Sequence, residues 1–548
     1  MATLSFNKKE IEKEIKLNDT IIEKINMMGI PAEVSGEKLD IEILPNRSDL
    51  LSMQGFLRAV KAFLGKETGL KKYLVNKPER DYKVRIDASL KNIRPYTACA
   101  IVKGLKFDEA KIKEIIDMQE KLHATLGRNR KKAAIGIYPL EKISLPIKFE
   151  ARKPTDIKFV PLEMSEELNG LQILQKHPTG REYAYLLDEM EKYPVFVDAK
   201  GKILSMPPVI NSNETGKIEE KTRDVFVECS GFDFESLNKI LNIIVTTLAD
   251  MGGKIYAMEL DYGKKEVTPN LLPEKIKINL DYFNKIVGLN IKENDLEKLL
   301  PKMGYEYKNG EVLVPAWRSD ILHERDIVED IAIAYGYENL LPEIPKVATI
   351  GEESNEAKIE SKVADILTGL GIIEVSSLHL IKEDEAKRLG LGENEKIEVS
   401  NSKTEFKILR PNLSIPAFRI LSENKDNEYP QKIFEIGNAF ERDKSGKSET
   451  GINENKKLLV ACSPSNFTEA KQILEYLARM LRIKFELRES KNKNMIEGRT
   501  GSVVINGKEI GFIGDVDIET LRRWNIKMPV SLFEIDLGEI FNILRFKN

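Results

Sequence analysis

Apolar residues recur at helical spacing in several long stretches of the chain. In "LPNRSDLLSMQGFLRAVKAFLG" (44–65) this spacing predicts a helix over 46–64, with the polar residues 46–49 at its start. The apolar positions that keep the spacing are Leu50, Met53, Leu57, Val60 and Leu64. The same criterion predicts helices over 233–251, 321–337 and 355–370.

Short runs of apolar and β-branched residues predict strands between these helices. Clear cases are "YTACAIVKG" (96–104) and "VFVEC" (225–229), which alternate with helical segments. Further along, "SVVINGKEIGFIGDV" (502–516) places Asn506-Gly507 between two alternating runs, which is a strong signal for a β-hairpin. Helices and strands are therefore mixed along the whole chain.

These patterns predict an α+β multidomain protein, because 548 residues exceed what one hydrophobic core holds together. Residues 1–75 predict an N-terminal α+β domain, and the polar segment 75–82 is interpreted as a linker. Residues 83–268 predict an α/β domain, and residues 270–346 a small α+β domain. Residues 350–548 predict an antiparallel sheet with flanking helices.

Composition narrows the class of protein. The 85 basic and 88 acidic residues leave a net charge of −3, so any contact with nucleic acid must be a local patch or come from a partner. Three scattered cysteines without a CxxC pair favour neither zinc nor a disulfide framework. We expect a cytoplasmic protein, because no run approaches 18 apolar residues and the N-terminus lacks an apolar targeting segment.

Four carboxylates crowd around the start of the predicted helix 321–337. Asp326, Glu329 and Asp330 stand at i, i+3 and i+4 on one helix face, and Asp320 precedes them. A solvated acidic face is one interpretation. The other is a cation site, because such carboxylates repel by about 1 kcal/mol per pair even in water and Mg²⁺ would remove that repulsion.

Two polar stretches are further candidates. "LSMPPVINSNETGKIEEKTRDVFVECSG" (204–231) has a Pro-Pro stop and a loop of small polar residues, which is typical either of a solvated loop or of a pocket for a polar ligand and a water. "GRNRKKAAIGIY" (127–138) places a basic cluster before a strand, which is either solvated or in contact with phosphates.

Several of these stretches, in this order, resemble one family. The chain is similar to phenylalanyl-tRNA synthetase β subunits of the archaeal and eukaryotic cytosolic type. The resemblance covers nearly the whole chain, and "RSDILHERDIVEDIAIAYGY" is its most specific part. The stretches that carry it are "LPNRSDLLSMQGFLRAVKAFLG", "LHATLGRNRKKAAIGIY", "LSMPPVINSNETGKI", "VPAWRSDILHERDIVEDIAIAYGYENL" and "FEIGNAF".

The resemblance implies a layout and a set of partners. Residues 83–268 would be a B3/B4 editing domain, 270–346 a B5 domain, and 350–548 a non-catalytic domain built like a class II synthetase. The partners implied are an α subunit in an α2β2 heterotetramer, tRNA-Phe, and phenylalanine and ATP bound mainly by the α subunit. The implied Mg²⁺ ligands are Asp320, Asp326, Glu329 and Asp330.

The C-terminal region departs from a working class II site. Such sites hold the phosphates of ATP with arginines, yet "KIFEIGNAFERD" (432–443) has Glu435 in the middle and no arginine before it. "EGRTGSVVINGKEIGFIG" (497–514) lacks the packed glycine-arginine pattern of a working site. Charge that develops during adenylate formation would go unmatched, so we expect the α subunit to supply this chemistry.

The resemblance also implies a hydrolytic editing site for tyrosyl-tRNA-Phe. A pocket shaped for phenylalanine rejects an analogue that merely adds a hydroxyl by only about 10²-fold, which makes a second sieve useful. The pair Tyr138-Pro139 stands where the family pattern favours a more polar pair. The residues expected in the editing pocket are Leu204, Pro208, Asn211, Ser212, Thr215, Arg223, Asp224 and Glu228.

Two other classes of function remain open. One is an autonomous tRNA-binding regulator built from synthetase domains, against which the near-neutral charge argues. The other is a trans-acting aminoacyl-tRNA hydrolase that needs no synthetase partner. Assays with and without an α subunit would separate both from the main interpretation.

Overall fold

A computed structural model describes residues 2–344, 351–446 and 448–545 of the chain. The Cα positions divide the chain into two compact units, Met1–Ile344 and Pro345–Asn548. The predicted domain ends at 346 and 350 fall on residues 345–350, which lie outside the described residues. Helices and sheets are present in both units, so the predicted α+β class is confirmed.

The first unit opens with a small antiparallel sheet of order β1-β3-β2, covered by short helices. The predicted helix begins later than its apolar spacing indicates, at Met53, because the side chain of Ser52 accepts the N–H of Gly55 and caps it. Residues 48–50 instead form a 3₁₀ turn. A Cβ on Gly55 would lie 2.0 Å from the carbonyl oxygen of Asp49, so this close approach requires glycine. The elements are β1 (Ala2–Asn7), α1 (Lys8–Glu12), α2 (Asp19–Met27), β2 (Ala32–Ser35), β3 (Lys38–Ile43) and α3 (Met53–Phe63).

A large mixed sheet follows, with the order β13-β12-β11-β8-β5-β15-β6-β14-β7. Strand β5 runs parallel to both β15 and β8, and most other neighbours are antiparallel. The elements are β4 (Val75–Asn76), β5 (Lys83–Ile86), β6 (Tyr96–Lys103), α4 (Glu109–Ala124), β7 (Ala133–Pro139), β8 (Ile147–Arg152), β9 (Lys158–Phe159), β10 (Leu168–Asn169), α5 (Gly170–Lys176), α6 (Pro178–Tyr183), β11 (Tyr193–Val197), β12 (Ile203–Met206), β13 (Ile210–Asn211), α7 (Asn213–Gly216), β14 (Val225–Gly231), α8 (Phe234–Asp250), β15 (Lys254–Asp261) and β16 (Lys265–Thr268).

Helix α8 joins this sheet to the N-terminal elements. Its apolar residues belong to one hydrophobic core with residues of β1, β3 and α3 on one side and of β6, β7 and β14 on the other. The segment 75–82, interpreted as a linker, is partly structured, because Val75 and Asn76 pair in parallel with β15 and Tyr82 is buried in the core. The short strand was not predicted because most residues of this segment are polar.

The remainder of the first unit is a small α+β region. Its antiparallel sheet has the order β17-β19-β18, and α11 packs against it through Ile327, Val328 and Ile331. The elements are β17 (Glu274–Lys277), α9 (Leu280–Val287), α10 (Glu293–Leu299), β18 (Glu306–Lys308), β19 (Glu311–Val314) and α11 (Glu324–Tyr335).

The second unit is built on an antiparallel sheet of order β20-β23-β24-β28-β27-β26-β25, with β20 parallel to its neighbour. The predicted hairpin is confirmed, since Ile505 pairs with Lys508 and the two turn residues, Asn506 and Gly507, both have positive φ. The elements are α12 (Asn355–Gly369), β20 (Ile373–Glu374), β21 (Leu380–Lys382), α13 (Glu383–Leu389), β22 (Phe406–Leu409), α14 (Ser414–Glu423), β23 (Gln431–Arg442), β24 (Ile452–Ser463), α15 (Phe467–Met480), β25 (Glu486–Glu489), β26 (Met495–Ile505), β27 (Lys508–Val516), α16 (Ile518–Arg523), β28 (Ser531–Asp536) and α17 (Leu537–Arg545).

Among the described residues, no helix combines the length and the apolar composition that crossing a lipid bilayer requires.

Candidate functional site

A cavity of about 100 Å³ lies where α4, β7 and β14 meet the segment 207–211. Three of the predicted pocket residues, Pro208, Asn211 and Glu228, line it. Asn211 ends β13, while Glu228 stands in the middle of β14, paired with Gly136 on one side and Cys99 on the other. The polar loop and the strand that sequence spacing grouped together thus meet at one place.

The hydroxyl of Tyr138 contacts both Asn211 and Glu228. It donates to Ser205 Oγ at 2.8 Å and lies 3.3 Å from both Asn211 Oδ1 and Glu228 Oε1. A Cβ on Gly136 would lie 2.2 Å from this hydroxyl, so glycine gives Tyr138 its position. Sequence reasoning expected a more polar pair at 138–139, and the phenol supplies the polar atom from a fully buried ring.

Glu228 is a buried carboxyl group with an incomplete set of partners. Its Oε2 has no hydrogen-bond partner among the described residues. Burial raises the pKa of Glu228 to about 8, although the nearby guanidinium of Arg94 opposes this shift. Arg94 itself donates to the carbonyl of Ser230 at 2.6 Å, and burial lowers its pKa to about 10. At neutral pH the Glu228 carboxyl is therefore mostly protonated and can donate a hydrogen bond.

His123, which belongs to α4, and Arg130 also line the cavity. The N–H of Ile135 donates to His123 Nε2 at 2.8 Å, which leaves the proton on Nδ1, 3.3 Å from Glu120. Burial lowers the pKa of His123, so the ring is neutral. Arg130 pairs with Glu120 at 2.9 Å and donates to the carbonyl of Val209 at 2.8 Å, which holds the 207–211 segment against the helix.

The basic segment 127–138 thus divides into two roles. Arg130 is structural, as its contacts with α4 and the segment 207–211 show. Arg128, Lys131 and Lys132 instead line a neighbouring cavity of about 510 Å³, which also contains Arg94 and Pro208. Pro208 lines both cavities. The cations of this second cavity are compatible with the predicted contact between the segment 127–138 and phosphates.

The remaining predicted pocket residues make other contacts. The hydroxyl of Ser212 accepts the N–H of Glu214 and caps α7, and the hydroxyl of Thr215 donates to the Leu204 carbonyl at 3.4 Å. Leu204 is fully buried in the core beside Tyr138. At the far end of β14, the exposed Arg223 donates to the carbonyls of Glu220 and Thr222, and Asp224 accepts the N–H of Gly104. Asp224 is four residues from Glu228, roughly 13 Å along a strand.

Two of the four crowded acids are bound to one buried arginine. Arg318 donates from Nε and Nη2 to the two carboxylate oxygens of Asp320, at 2.8 and 2.7 Å, and from Nη2 to Asp330 at 2.7 Å. The hydroxyl of Tyr305 also donates to Asp330. These side chains are almost completely buried, so the arginine removes the repulsion that the sequence pattern implied.

The other two acids are more accessible. Asp326 accepts the N–H groups of Leu322 and His323, both at 2.8 Å, and caps α11, while Glu329 is exposed. No group of three or more His, Cys, Asp or Glu side chains among the described residues is arranged to hold a metal ion. The four carboxylates do not fit Mg²⁺ as one set of ligands, because a guanidinium occupies the place of a cation between Asp320 and Asp330.

In the second unit, Glu435 of β23 pairs with Arg410 at 2.6 Å, and both side chains are almost fully buried. Arg410 also donates to Ser377 Oγ at 2.7 Å and to the Asn438 carbonyl at 2.8 Å. The guanidinium is therefore engaged within the fold. The buried carboxylate that sequence reasoning singled out at Glu435 serves to neutralise it.

Comparison with known proteins gives these sites a family context. Residues 80–242 match the family described as B3/4 domain, residues 276–337 the tRNA synthetase B5 domain, and residues 341–537 the phenylalanyl tRNA synthetase beta chain CLM domain. Together these domains define a subunit of an aminoacyl-tRNA synthetase.

Individual relatives are more specific. The chain is 40% identical to the phenylalanine–tRNA ligase beta subunits of Pyrococcus abyssi and Pyrococcus horikoshii, with 90% of each chain covered. It is 36% identical to that of Archaeoglobus fulgidus, with 96% of each chain covered. A crystal structure of an N-terminal fragment of the Pyrococcus horikoshii phenylalanyl-tRNA synthetase beta subunit matches 61% of this chain and all of the fragment, with 37% identity and a TM-score of 0.58. The chain belongs to the family of phenylalanine–tRNA ligase beta subunits.

We predict that Glu228 makes the folded chain less stable, relative to a Glu228→Gln variant, as pH rises. The unfolded carboxyl loses its proton near 4.5, whereas the folded one keeps it until about 8. The protonated Glu228 therefore contributes its full stabilisation of the fold below pH 4.5. Between pH 4.5 and about 8 the free energy of unfolding falls by up to about 1.4 kcal/mol per pH unit. Chemical denaturation of both proteins across this range measures the difference. Parallel pH profiles would mean that Glu228 ionises normally in the folded chain.

Proposed function

We propose that the chain works with an α subunit, in an α2β2 heterotetramer, to attach phenylalanine to tRNA-Phe at the expense of ATP. The α subunit binds ATP and phenylalanine, and this chain contributes scaffold and tRNA contacts. Family membership supports this assignment. The contacts of Arg410 support the division of labour, because a guanidinium already paired with Glu435 and buried in the sheet is not available to the phosphates of ATP.

The isolated chain should form no phenylalanyl-adenylate, because Arg410 is already paired with Glu435 and is not available to match the charge that develops on the phosphates. Pyrophosphate exchange measured with phenylalanine and ATP tests this. Addition of the α subunit should restore exchange and aminoacylation together, and the mass of the purified complex gives its stoichiometry. Exchange by the solitary chain would contradict the proposal.

We further propose that the 100 Å³ cavity recognises the hydroxyl group of a misattached tyrosine. The observation that carries this proposal is that Oε2 of Glu228 has no hydrogen-bond partner among the described residues. A mostly protonated Glu228 and the side chain of Asn211 offer a donor and an acceptor to a phenolic hydroxyl. A site built to hydrogen-bond a hydroxyl strongly disfavours the analogue that lacks it, so phenylalanyl-tRNA-Phe would be spared.

The sizes of the two cavities assign different parts of the substrate to them. At roughly 30 Å³ per water molecule, 100 Å³ holds a few waters or a hydroxyl group but no aromatic ring. The adjoining 510 Å³ cavity is within the range of small-molecule sites and would take the ring and the ester. Arg128, Lys131 and Lys132 on its wall would meet the terminal phosphates of the tRNA. Hydrolysis of the ester needs a positioned water and no protein nucleophile.

Removing the polar group of Glu228 should slow deacylation of tyrosyl-tRNA-Phe by the α–β complex. We expect Glu228→Leu to lower the rate by about tenfold or more, because one buried hydrogen bond to the substrate is lost. Glu228→Gln should retain most of the rate at neutral pH, because a protonated carboxyl and an amide are both neutral donors.

Asp224→Asn is the matched control, because it changes a carboxyl on the same chain segment at the far end of β14. It should leave deacylation unchanged. All variants should aminoacylate at the normal rate, which verifies folding and assembly. Deacylation that survives in Glu228→Leu but fails in Asp224→Asn would move the site to the end of the strand near Arg223.

We propose a narrower magnesium site than the sequence indicated. Asp320 and Asp330 hold Arg318, while Glu329 and Asp326, one turn apart on α11, provide carboxylates to a largely hydrated Mg²⁺. Binding through one or two carboxylates with several waters retained is the usual mode for this ion. The exposure of Glu329 supports this choice.

Magnesium should then raise the thermal stability of the chain through Glu329. Glu329→Gln should abolish the increase in Tm that MgCl₂ produces at constant ionic strength, because a ligand stabilises a fold only through the groups that bind it. Glu324→Gln, on the same helix, serves as the control. An equal Mg²⁺ response in both variants would place the ion elsewhere.

A further inference from the structure

A third cavity, of about 190 Å³, lies where α3 and the segment 67–71 meet the small α+β region. Four cationic side chains line it: those of Arg47, Arg58, Lys71 and Arg318. The acids on its wall are Asp49, which pairs with Arg47 at 2.9 Å, and Glu67, which pairs with Lys61 at 2.9 Å. The other carboxylates that these cations contact, Asp250, Asp320 and Asp330, do not line the cavity.

Arg58 is positioned on one side of this cavity with part of its guanidinium unused. Its Nη1 donates to Tyr73 Oη and to Asp250 Oδ2, both at 2.7 Å, and its Cζ lies 4.4 Å from the centre of the Trp317 ring. Nη2 is buried and has no partner among the residues that the structure describes. The Arg58 side chain is 10% exposed.

Arg318, which also lines the cavity, shows the same feature. Its Nε and Nη2 are engaged with Asp320 and Asp330, whereas Nη1 is buried without a partner in the described part of the chain. The side chain is only 3% exposed. An unsatisfied buried donor on a charged group is costly, and both of these donors belong to residues that line one cavity.

The volume restricts what would satisfy both donors. At roughly 30 Å³ per water, the cavity holds about six waters, and it is smaller than the 300 Å³ or more of ordinary small-molecule sites. Water would accept the hydrogen bonds, but as a neutral molecule it would add no charge-assisted attraction. An oxyanion accepts both and adds charge-assisted attraction, for which guanidinium groups are well suited.

We propose that this cavity is a binding site for a small oxyanion, with the chemistry of phosphate or of a low-molecular-weight carboxylate. Arg58 Nη2 and Arg318 Nη1 donate to the anion, and the half-exposed Lys71 completes the site. The anion thereby couples α3 to the segment that precedes α11. This site is separate from the cavity around Glu228 and does not depend on any editing activity.

Trp317 provides a direct readout, because it lines the cavity and stacks under Arg58. We expect inorganic phosphate, added to the full-length chain at constant ionic strength, to change tryptophan fluorescence in a saturable way. A Trp317→Phe variant, which retains Trp524, should lose the change. Acetate titrated in the same way distinguishes a carboxylate preference from a phosphate preference.

Two variants and one matched control test the residues. Arg58→Lys keeps the charge but removes the unpaired N–H. It should raise the midpoint, which is the phosphate concentration that gives half of the fluorescence change, about tenfold. Lys71→Gln should raise it about two- to fivefold, because the lysine is partly exposed and Asp250 keeps Arg58 and Tyr73 as partners. Lys72→Gln changes the adjacent lysine, which pairs with Glu306 outside the cavity, and should leave the midpoint unchanged.

The proposal is overturned by any of three results. The first is the absence of a saturable response to both phosphate and acetate. The second is an equal response to sodium chloride at the same ionic strength, which would indicate general screening. The third is a midpoint that is the same in Lys71→Gln and Lys72→Gln; because Lys71 is at the surface, this comparison holds even if Arg58→Lys fails to fold.

Discussion

A charged group that leaves water must find a charge or a hydrogen bond to replace it, and this constraint organises the chain from one end to the other. Arg318 pairs with Asp320 and Asp330 and so holds α11 against the preceding segment. In the second unit, Arg410 pairs with Glu435 and also donates to Ser377 and to the Asn438 carbonyl. Nitrogens that are paired in this way have a structural role.

Function is best sought where the replacement is incomplete. Among the described residues, one oxygen of Glu228 has no partner, and burial raises the pKa of this carboxyl to about 8. Arg58 and Arg318, which line one cavity, each have one guanidinium nitrogen without a partner in the described part of the chain. These atoms remain buried only because the surrounding fold fixes them, and each would be stabilised by a ligand of complementary character. A carboxyl that is neutral suits a hydroxyl group, and a pair of cations suits an anion.

The carboxylates of α11 show that a charge pattern in the sequence does not identify the counter-charge. Sequence spacing placed Asp326, Glu329 and Asp330 on one face and left two interpretations open, a solvated acidic face and a cation site that relieves their mutual repulsion. The cation that pairs with Asp320 and Asp330 is Arg318, eight residues before Asp326 in the chain. A side chain from the same segment is as good a counter-charge as a metal ion, and helical periodicity does not distinguish the two.

The sequence alone determined the family, the class of fold, and elements such as α8 and the hairpin at 506–507, because these depend on local spacing, turn chemistry and long ordered motifs. It also placed Pro208, Asn211 and Glu228 in one candidate pocket. Only the tertiary structure decided that Tyr138 and Arg130 belong beside them, that Asp224 contacts Gly104 instead, and that Arg318 lines one cavity with Arg47 and Arg58, which lie far from it in the sequence. Partners of a buried polar group come from strands far apart in the chain, and no local pattern specifies which of them will arrive.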